Sequence, residues 1–170
     1  MTTSGELSIE KLRREHEVDA FDCGEEALNR YLVRHALANQ LAGSSQTYVA
    51  LDGGATVVGF YTLTVGQVEY GDAPERLVKG MPRYPVPIMI LARLAVAMVA
   101  KGRGLGAGLV RDAMLRTIQA ADIAGIRAFV THAKNDHARA FYEHFDFVPL
   151  ATDPYHLYCL IKDIRRFTGE

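Results

Sequence analysis

The 170-residue sequence carries 19 lysine and arginine residues against 20 aspartate and glutamate residues, and the resulting net charge of −1 neither indicates nor excludes a nucleic-acid partner. Apolar residues make up 49% of the chain, which is typical of a globular protein, and the length predicts a single domain over residues 1–170. No apolar run is long enough to span a bilayer and the first residues lack a signal-peptide pattern, so we expect a cytoplasmic protein.

The N-terminal half of the chain alternates strand and helix patterns. Apolar residues recur at helical spacing from Ala27 to His35, and Asp22 is a candidate N-cap because its carboxylate can accept backbone N–H groups. Two segments rich in β-branched and aromatic residues flank Asp52-Gly53-Gly54, which predicts a hairpin. In chain order, the predicted elements are a strand (Ile9–Leu12), a helix to about Val33, a helical segment from Arg34 to Leu41, the hairpin strands Thr47–Leu51 and Thr56–Val65, and a short helix from Pro74 to Lys79.

A proline-rich segment, Met81–Pro87, precedes the most apolar run of the chain. Its prolines argue against both a helix and a central strand, which leaves a plain connector or the wall of a substrate cleft as equal alternatives. The following run, Ile88–Val96, is typical of a strand covered on both faces. Arg93 interrupts this run, and a charge in such a setting is either an ion-pair partner or a site residue.

A glycine-rich turn, Lys101–Gly108, lies between this strand and a helical pattern that extends from Leu105 to Ala124. Such a turn directs backbone N–H groups at the helix N-terminus toward an anion, usually a phosphate. Gly102, Gly104 and Gly106 can adopt positive φ and leave no side chain between the backbone and a pyrophosphate. Lys101 and Arg103 add positive charge. The alternative is a flexible turn without a ligand.

Two other phosphate motifs do not fit this turn. A P-loop requires Lys-Ser or Lys-Thr after a glycine, and none follows here. The dinucleotide pattern is formally matched by Gly102, Gly104 and Ala107, but it lies past the middle of the chain, and the next predicted strand ends at His132 without an acidic residue. A nicotinamide-dinucleotide fold is therefore disfavoured.

The C-terminal part continues the alternation of strands and helices. Arg127–Ala133 predicts a buried strand, and Asn135 or Asp136 caps a helix that extends to Phe145. Phe147-Val148-Pro149 leads into a last strand, Tyr155–Ile161. Together with the N-terminal half, this order predicts an α/β fold with a mixed sheet.

Three segments resemble the acetyl-CoA-binding core of GNAT-type N-acetyltransferases: Leu91–Val96, Lys101–Gly106, and Asn135 together with Ala138–Phe147. Phe21–Gly24, Met81-Pro82 and Asp112-Ala113 further resemble the toxin branch of that superfamily, whose members acetylate the amino acid on charged tRNA and stop translation. The resemblance implies a V-shaped, splayed mixed sheet flanked by helices, with acetyl-CoA as the cofactor.

The resemblance also implies roles for individual residues. The pantetheine arm would pair with main-chain groups of Leu94 and Val96, and a main-chain N–H near Leu94 or Ala95 would polarise the thioester. Tyr142 would give a proton to the departing thiolate, although periodicity alone favours a packing role for it. The implied cofactor-binding residues are Leu94, Ala95, Val96, Lys101, Gly102, Arg103, Gly104, Leu105, Gly106, Ala107, Asn135 and Ala138.

The sequence departs from the family pattern at two positions. Lys101 stands where glutamine or arginine is usual, which keeps the charge but loses bidentate geometry. Asp146 replaces the glycine that usually separates the two phenylalanines after the tyrosine helix. Because aspartate tolerates the left-handed conformation better than most residues, we expect the turn to persist.

A charged-tRNA substrate requires cations that contact phosphates, for which the candidates are Arg34, Arg76, Arg83 and Arg93. No general base is apparent, and no histidine or cysteine pattern has metal-ligand spacing, so we expect no metal. The resemblance further implies a homodimer that is neutralised by a ribbon-helix-helix antitoxin. The alternatives are a GNAT enzyme that acetylates a small amine or a protein N-terminus, and a non-catalytic acyl-CoA-binding module.

Overall fold

The computed structural model describes residues 7–169. Strands and helices alternate along this part of the chain. None of its helices combines the length and the apolar character needed to cross a membrane. The strands are β1 (Leu7–Lys11), β2 (Gln46–Asp52), β3 (Val57–Val68), β4 (Val86–Val96), β5 (Ala128–His132), β6 (Val148–Pro149) and β7 (His156–Leu160). The helices are α1 (Glu26–Arg34), α2 (Ala36–Leu41), α3 (Glu75–Val78), α4 (Leu105–Ile123), α5 (Asp136–Glu143) and α6 (Ile161–Thr168).

The described strands form a mixed sheet in the order β1-β2-β3-β4-β5-β7-β6. β1, β2 and β3 pair antiparallel in sequence order. β2 and β3 form the predicted hairpin, whereas α1 and α2 lie between β1 and β2 in the chain. β4 and β5 pair parallel over Ile88–Leu91 and 128–131, and α4 lies between them in the chain as the crossover. β7 is antiparallel to both β5 and β6. The predicted α/β class with a mixed sheet is confirmed.

The chain divides into two compact units, and β3 and β4 contribute residues to both. The first unit contains the residues up to Thr64 together with Ala92–Ala113. In its core, the Phe60 ring stacks on Tyr31 of α1 at 6.3 Å. Gly59 allows β3 to approach its neighbours closely, because a Cβ there would lie 3.1 Å from Leu109 Cδ1.

The second unit contains Val65–Leu91 together with the residues from Met114 onward. Arg127 ties the loop after α3 to β5, since its guanidinium donates to the carbonyls of Leu77 and Lys79 at 2.9 and 3.1 Å. The buried residues of its main apolar cluster are Leu77, Val86, Ile88, Ala128, Val130, Tyr158 and Leu160.

The predicted strands and helices are confirmed with shifted ends, and one exclusion is wrong. Val86 and Pro87 belong to β4, although the proline-rich segment was expected to contain no central strand. Pro87 is tolerated because it is the second residue of the strand, where a proline without an N–H group costs little. Its carbonyl still accepts a hydrogen bond from the Arg127 amide at 2.9 Å.

Helix α6 was not predicted from the sequence. Its signals are nevertheless local: Ile164 is buried, Arg165 and Arg166 occupy the last turn, and Gly169 follows the helix with φ +78°. Basic residues in the last turn and a left-handed glycine after it are the usual pattern of a helix C-terminus. The sequence prediction ended with the strand Tyr155–Ile161 and assigned no element to the residues after it.

Candidate active site

The glycine-rich turn sits at the N-terminus of α4, in the first unit. Gly102 and Gly104 have φ of +82° and +76°, as expected, whereas Gly106 lies inside α4 and has no positive φ. The first intrahelical hydrogen bond is donated by the Gly108 amide to the Gly104 carbonyl at 3.1 Å, so the amides from Leu105 to Ala107 precede the helical ladder. A Cβ placed on Gly102 or Gly104 would meet no atom within 4 Å. The turn is therefore exposed, and no side chain covers the space beside these two glycines.

The two cations of the turn are already engaged by the protein. The Lys101 ammonium donates to the Cys23 carbonyl at 3.1 Å, and the Arg103 guanidinium lies 3.5 Å from the Asp52 carboxylate. Neither contact removes the positive charge, because the Cys23 carbonyl is neutral and the Arg103–Asp52 pair is largely exposed. Both cations therefore add to the attraction that the α4 dipole and its first amides exert on an anion. The sequence expectation that both side chains add positive charge beside the turn stays a prediction.

Asp22 does not cap α1, contrary to the sequence prediction. The N-cap position is Glu25, and its side chain makes no capping hydrogen bond. Asp22 Oδ1 instead accepts from the Gly24 amide at 2.9 Å and from Asn29 Nδ2 at 3.1 Å. These contacts hold the pKa of the Asp22 carboxyl below its usual value, with the Gly24 hydrogen bond as the largest cause.

The segment that contains Asp22 forms hydrogen bonds with Met98 and Lys101, which lead into the glycine-rich turn. The Asp22 carbonyl accepts the Met98 amide at 2.8 Å, and the neighbouring Cys23 carbonyl holds Lys101. Gly24 has φ +89°, and a Cβ there would lie 3.5 Å from Met98 Sδ. The contacts of the Phe21–Gly24 motif thus hold the start of the glycine-rich turn in place. The sequence alone did not indicate this role.

The last residues of β4 precede the turn. Ala95 is buried, and Leu94 and Val96 are half-buried on the alternate face of the strand. The next residue, Ala97, donates its amide to the Val58 carbonyl at 2.8 Å, which fixes the end of β4 against β3.

Tyr142 lies on α5 in the second unit and is 8% exposed. Its ring packs edge-on against Phe141 at 5.2 Å and Phe147 at 5.5 Å, which limits rotation of the side chain. Burial raises the pKa of the Tyr142 phenol, and the Thr131 hydroxyl acts in the opposite direction. The phenol is therefore a protonated, fixed donor at neutral pH, which is the state that a general acid requires.

Of the two predicted caps, Asn135 is the N-cap of α5, and its Oδ1 accepts the Ala138 amide at 2.9 Å. The helix ends at Glu143, two residues earlier than predicted. Asp146 follows with φ +66°, which confirms that aspartate supports the left-handed turn. The Phe147 amide returns to the Tyr142 carbonyl at 3.4 Å, so this turn closes directly on the residue that carries the phenol.

The four arginine candidates differ in their surroundings. Arg76 forms a 2.8 Å ion pair with Asp163, so this guanidinium is committed within the protein. Arg34 and Arg83 are exposed, and neither has an acceptor among residues 7–169. Arg93 is half-buried, and its guanidinium carbon lies 3.7 Å from the centroid of the Tyr31 ring. The sequence could not separate these cases, because the partners lie 62 or more residues away.

Comparison with known proteins agrees with this geometry. Residues 43–149 match the model of the acetyltransferase (GNAT) domain. The chain is 47% identical over 167 residues to the tRNA-acetylating toxin of Mycobacterium tuberculosis, covering 98% of this chain and 99% of that protein.

Two solved structures are similar over nearly the whole chain. AtaT complexed with acetyl-methionyl-tRNAfMet matches with a TM-score of 0.87 at 30% identity, covering 95% of this chain and 98% of that chain. A mutant AtaT toxin bound to the C-terminus of the antitoxin AtaR and acetyl-CoA matches with a TM-score of 0.83 at 28% identity, covering 96% and 99% of the two chains. The fold, the domain match and the close relative together establish that this chain belongs to the GNAT acetyltransferase family.

Proposed function

We propose that the protein is a toxin that transfers the acetyl group of acetyl-CoA to the amino group of aminoacyl-tRNA and thereby blocks translation. The observation that carries this proposal is the similarity to a tRNA-acetylating toxin, which is 47% identical over 98% of the chain. Charged tRNA as the substrate places the protein in the cytoplasm. The whole chain acts as one GNAT domain in this proposal.

The geometry of the turn supports acetyl-CoA as the cofactor. Free amides at the N-terminus of a 19-residue helix suit a pyrophosphate, and the two left-handed glycines leave the approach open. The main chain of Leu94 and Val96 would pair with the amides of pantetheine. Asn135 and Ala138 satisfy each other at the start of α5, so we assign them to shaping the cofactor site rather than to direct side-chain contacts.

Acetyl transfer requires a neutral amine, stabilisation of the tetrahedral oxyanion, and a proton for the departing sulfur. The nitrogen lone pair forms the new C–N bond, the thioester C–S bond breaks, and the electron pair leaves on sulfur. The proton that the nitrogen loses on becoming an amide passes to water, and the phenol that protonates the sulfur regains its proton from solvent. We assign the proton transfer to Tyr142, whose buried phenol holds its proton at neutral pH. The main-chain N–H of Ala95 or Leu94 is the candidate donor to the oxyanion. The α-amino group needs no dedicated base, since its pKa is about 7.7–8.0.

The direction of the Tyr142 shift predicts the pH profile of the reaction. Because burial raises its pKa above the ordinary value of about 10, the acid stays protonated up to at least pH 9.5. We expect kcat to rise as the acceptor amine loses its proton and then to stay level up to pH 9.5. Initial rates with an amide-linked aminoacyl-adenosine, which resists alkaline hydrolysis, would measure this. A decline between pH 7.5 and 9 would remove Tyr142 as the acid.

Mass spectrometry of bulk charged tRNA tests the proposed reaction. Total aminoacylated tRNA is incubated with the protein and acetyl-CoA, digested with nuclease, and searched for N-acetyl-aminoacyl-adenosine. We expect acetylation of one or a few amino acids on tRNA and no acetylation of the same free amino acids. Acetylation of free amines or of peptide N-termini alone would support the other enzyme function and would reject the toxin assignment.

We further propose that the active form is a homodimer and that a ribbon-helix-helix antitoxin neutralises it. The match to a toxin structure that contains antitoxin and acetyl-CoA supports the second point.

A further inference from the structure

The Arg93 side chain is held in one orientation by an aromatic ring. Its guanidinium carbon lies 3.7 Å above the centroid of Tyr31, well inside the range of about 6 Å over which a cation and a ring attract each other. Arg93 belongs to β4 and Tyr31 to α1, so this contact joins two elements of the first unit. The N–H groups of a guanidinium lie in its own plane, so a cation–π contact of the central carbon does not use them as hydrogen-bond donors.

Tyr31 is itself rigid. The ring is 5% exposed, it stacks on Phe60 at 6.3 Å with an interplanar angle of 22°, and its hydroxyl lies 3.3 Å from Ser45 Oγ. The platform under Arg93 is therefore fixed by the core and costs little entropy to maintain. A side chain ordered in advance binds its ligand more tightly than one that must be ordered on binding.

The guanidinium has no anionic partner within the described residues. No carboxylate or other acceptor between residues 7 and 169 hydrogen-bonds to Arg93, in contrast to Arg76 and Arg103, which each have an aspartate partner. The side chain is half-buried, so its five N–H groups are open to water or to a ligand rather than used within the protein. Arg34, which follows Tyr31 by one helical turn, is a second cation without an acceptor in the same part of the chain.

The position of Arg93 on β4 indicates which anion it takes. It directly precedes Leu94, so the two Cα atoms are about 3.8 Å apart. In the proposed function, the main chain of Leu94 lies against the pantetheine arm, and an anion on Arg93 thus belongs to the acceptor rather than to the pyrophosphate at the turn. The only strong anions of an aminoacyl-tRNA near its amino group are the phosphates of the terminal nucleotides.

We propose that the Arg93 guanidinium, held over the Tyr31 ring, binds a backbone phosphate at the aminoacylated end of tRNA and so favours a nucleic-acid acceptor over a free amine. Arg93 is then a substrate-binding residue and Tyr31 is the residue that positions it. The assignment of the anion rests on the proposed function, whereas the receptor itself rests on the contacts of the first unit.

Binding of 5′-labelled, uncharged tRNA, followed by fluorescence anisotropy over a range of salt concentrations, tests the receptor without requiring acetyl transfer. We expect Arg93→Gln to lower affinity about tenfold to a hundredfold, since it removes a charge-assisted contact. The slope of log K against log salt should become shallower by about 0.7–0.9 for one lost phosphate contact. Arg165→Gln is the matched control: it removes the same charge from an exposed guanidinium that is paired with Asp122 at 2.6 Å, and should change neither quantity.

Two variants of Tyr31 separate the ring from its hydroxyl. Tyr31→Phe keeps the platform and should bind tRNA like the wild type. Tyr31→Leu keeps the Arg93 charge but loses the ring, so the salt slope should be retained while affinity falls several-fold. Thermal melting of each variant identifies any that fails to fold, and the Arg93→Gln and Tyr31→Phe pair decides the proposal if Tyr31→Leu does not fold.

Acetylation of two acceptors completes the test. Arg93→Gln should lower kcat/KM for charged tRNA and leave that for phosphate-free aminoacyl-adenosine within about twofold of the wild type. The proposal is overturned if Arg93→Gln leaves the salt slope unchanged, if it affects both acceptors equally, or if the wild type binds no tRNA. A different outcome is that tRNA binding depends on Arg93 but charged tRNA is not acetylated. That result would reject the proposed function and would still support Arg93 as a phosphate-binding residue.

Discussion

Replacement of Tyr142 by phenylalanine is expected to lower kcat for acetyl transfer by about 10²–10⁴-fold, the usual contribution of a positioned general acid. The thiolate would have to leave without its proton donor, whereas the ring and its edge-on contacts with Phe141 and Phe147 would stay in place. The affinity for acetyl-CoA should therefore be unchanged. Single-turnover rates together with calorimetric titration of acetyl-CoA separate the chemical step from binding.

Tyr158→Phe is the matched control for this experiment. Tyr158 is 7% exposed and belongs to the apolar cluster of the second unit, so its change removes a phenol of the same burial without a proposed role in the chemistry. Expression in a bacterial host gives a second readout: growth should stop with the wild type and with Tyr158→Phe, and continue with Tyr142→Phe. Near-normal turnover of Tyr142→Phe would assign this residue to packing alone.

Replacement of Gly104 by valine should weaken binding of coenzyme A by about 100-fold or more. The residue has φ +76°, which a β-branched side chain rarely adopts, and its missing Cβ faces open space beside the amides that begin α4. Valine would both strain the turn and place methyl groups where the pyrophosphate approaches. Each charge-assisted hydrogen bond lost to the anion reduces affinity by about tenfold to a hundredfold.

Gly43→Val separates these two effects. Gly43 has φ +79°, and a Cβ there would also meet no atom within 4 Å, but it ends α2 rather than beginning a helix. Backbone strain of about 1–3 kcal/mol should lower the melting temperature of both variants by roughly 2–12 °C. Only Gly104→Val should lose coenzyme A in calorimetric titration. Equal affinities in the two variants would mean that the pyrophosphate does not rest on this turn.

The parts of the site that depend on local backbone conformation could be predicted from the sequence. The turn with left-handed Gly102 and Gly104, the Asn135 cap of α5 and the left-handed Asp146 each depend on residues within a few positions of one another. The preferences of glycine, asparagine and aspartate for these conformations are intrinsic to the residue. The α6 terminus obeys the same rules and could have been predicted from Arg165, Arg166 and Gly169.

The hydrogen-bond partners of the polar side chains could not be predicted from the sequence. Asp22 has the residue type of a helix cap but supports the turn through Gly24, Asn29 and the Met98 amide. Lys101 has the charge of a phosphate ligand but is held by the Cys23 carbonyl, 78 residues away in the chain. In each case the residue type permits several partners, and the folded arrangement selects one.

The sequence by itself determined the mixed α/β architecture, the glycine-rich helix start and the tyrosine helix, because local conformational preference and apolar periodicity act over a few residues. Only the tertiary structure decided which cations remain available to a ligand. Arg76 meets Asp163 across 87 residues, whereas Arg93 meets the ring of Tyr31 and keeps its donors unused. These outcomes depend on which distant segments the core brings into contact. Burial of apolar surface brings them together, and because it is non-directional, no short stretch of sequence specifies which partner a side chain will meet.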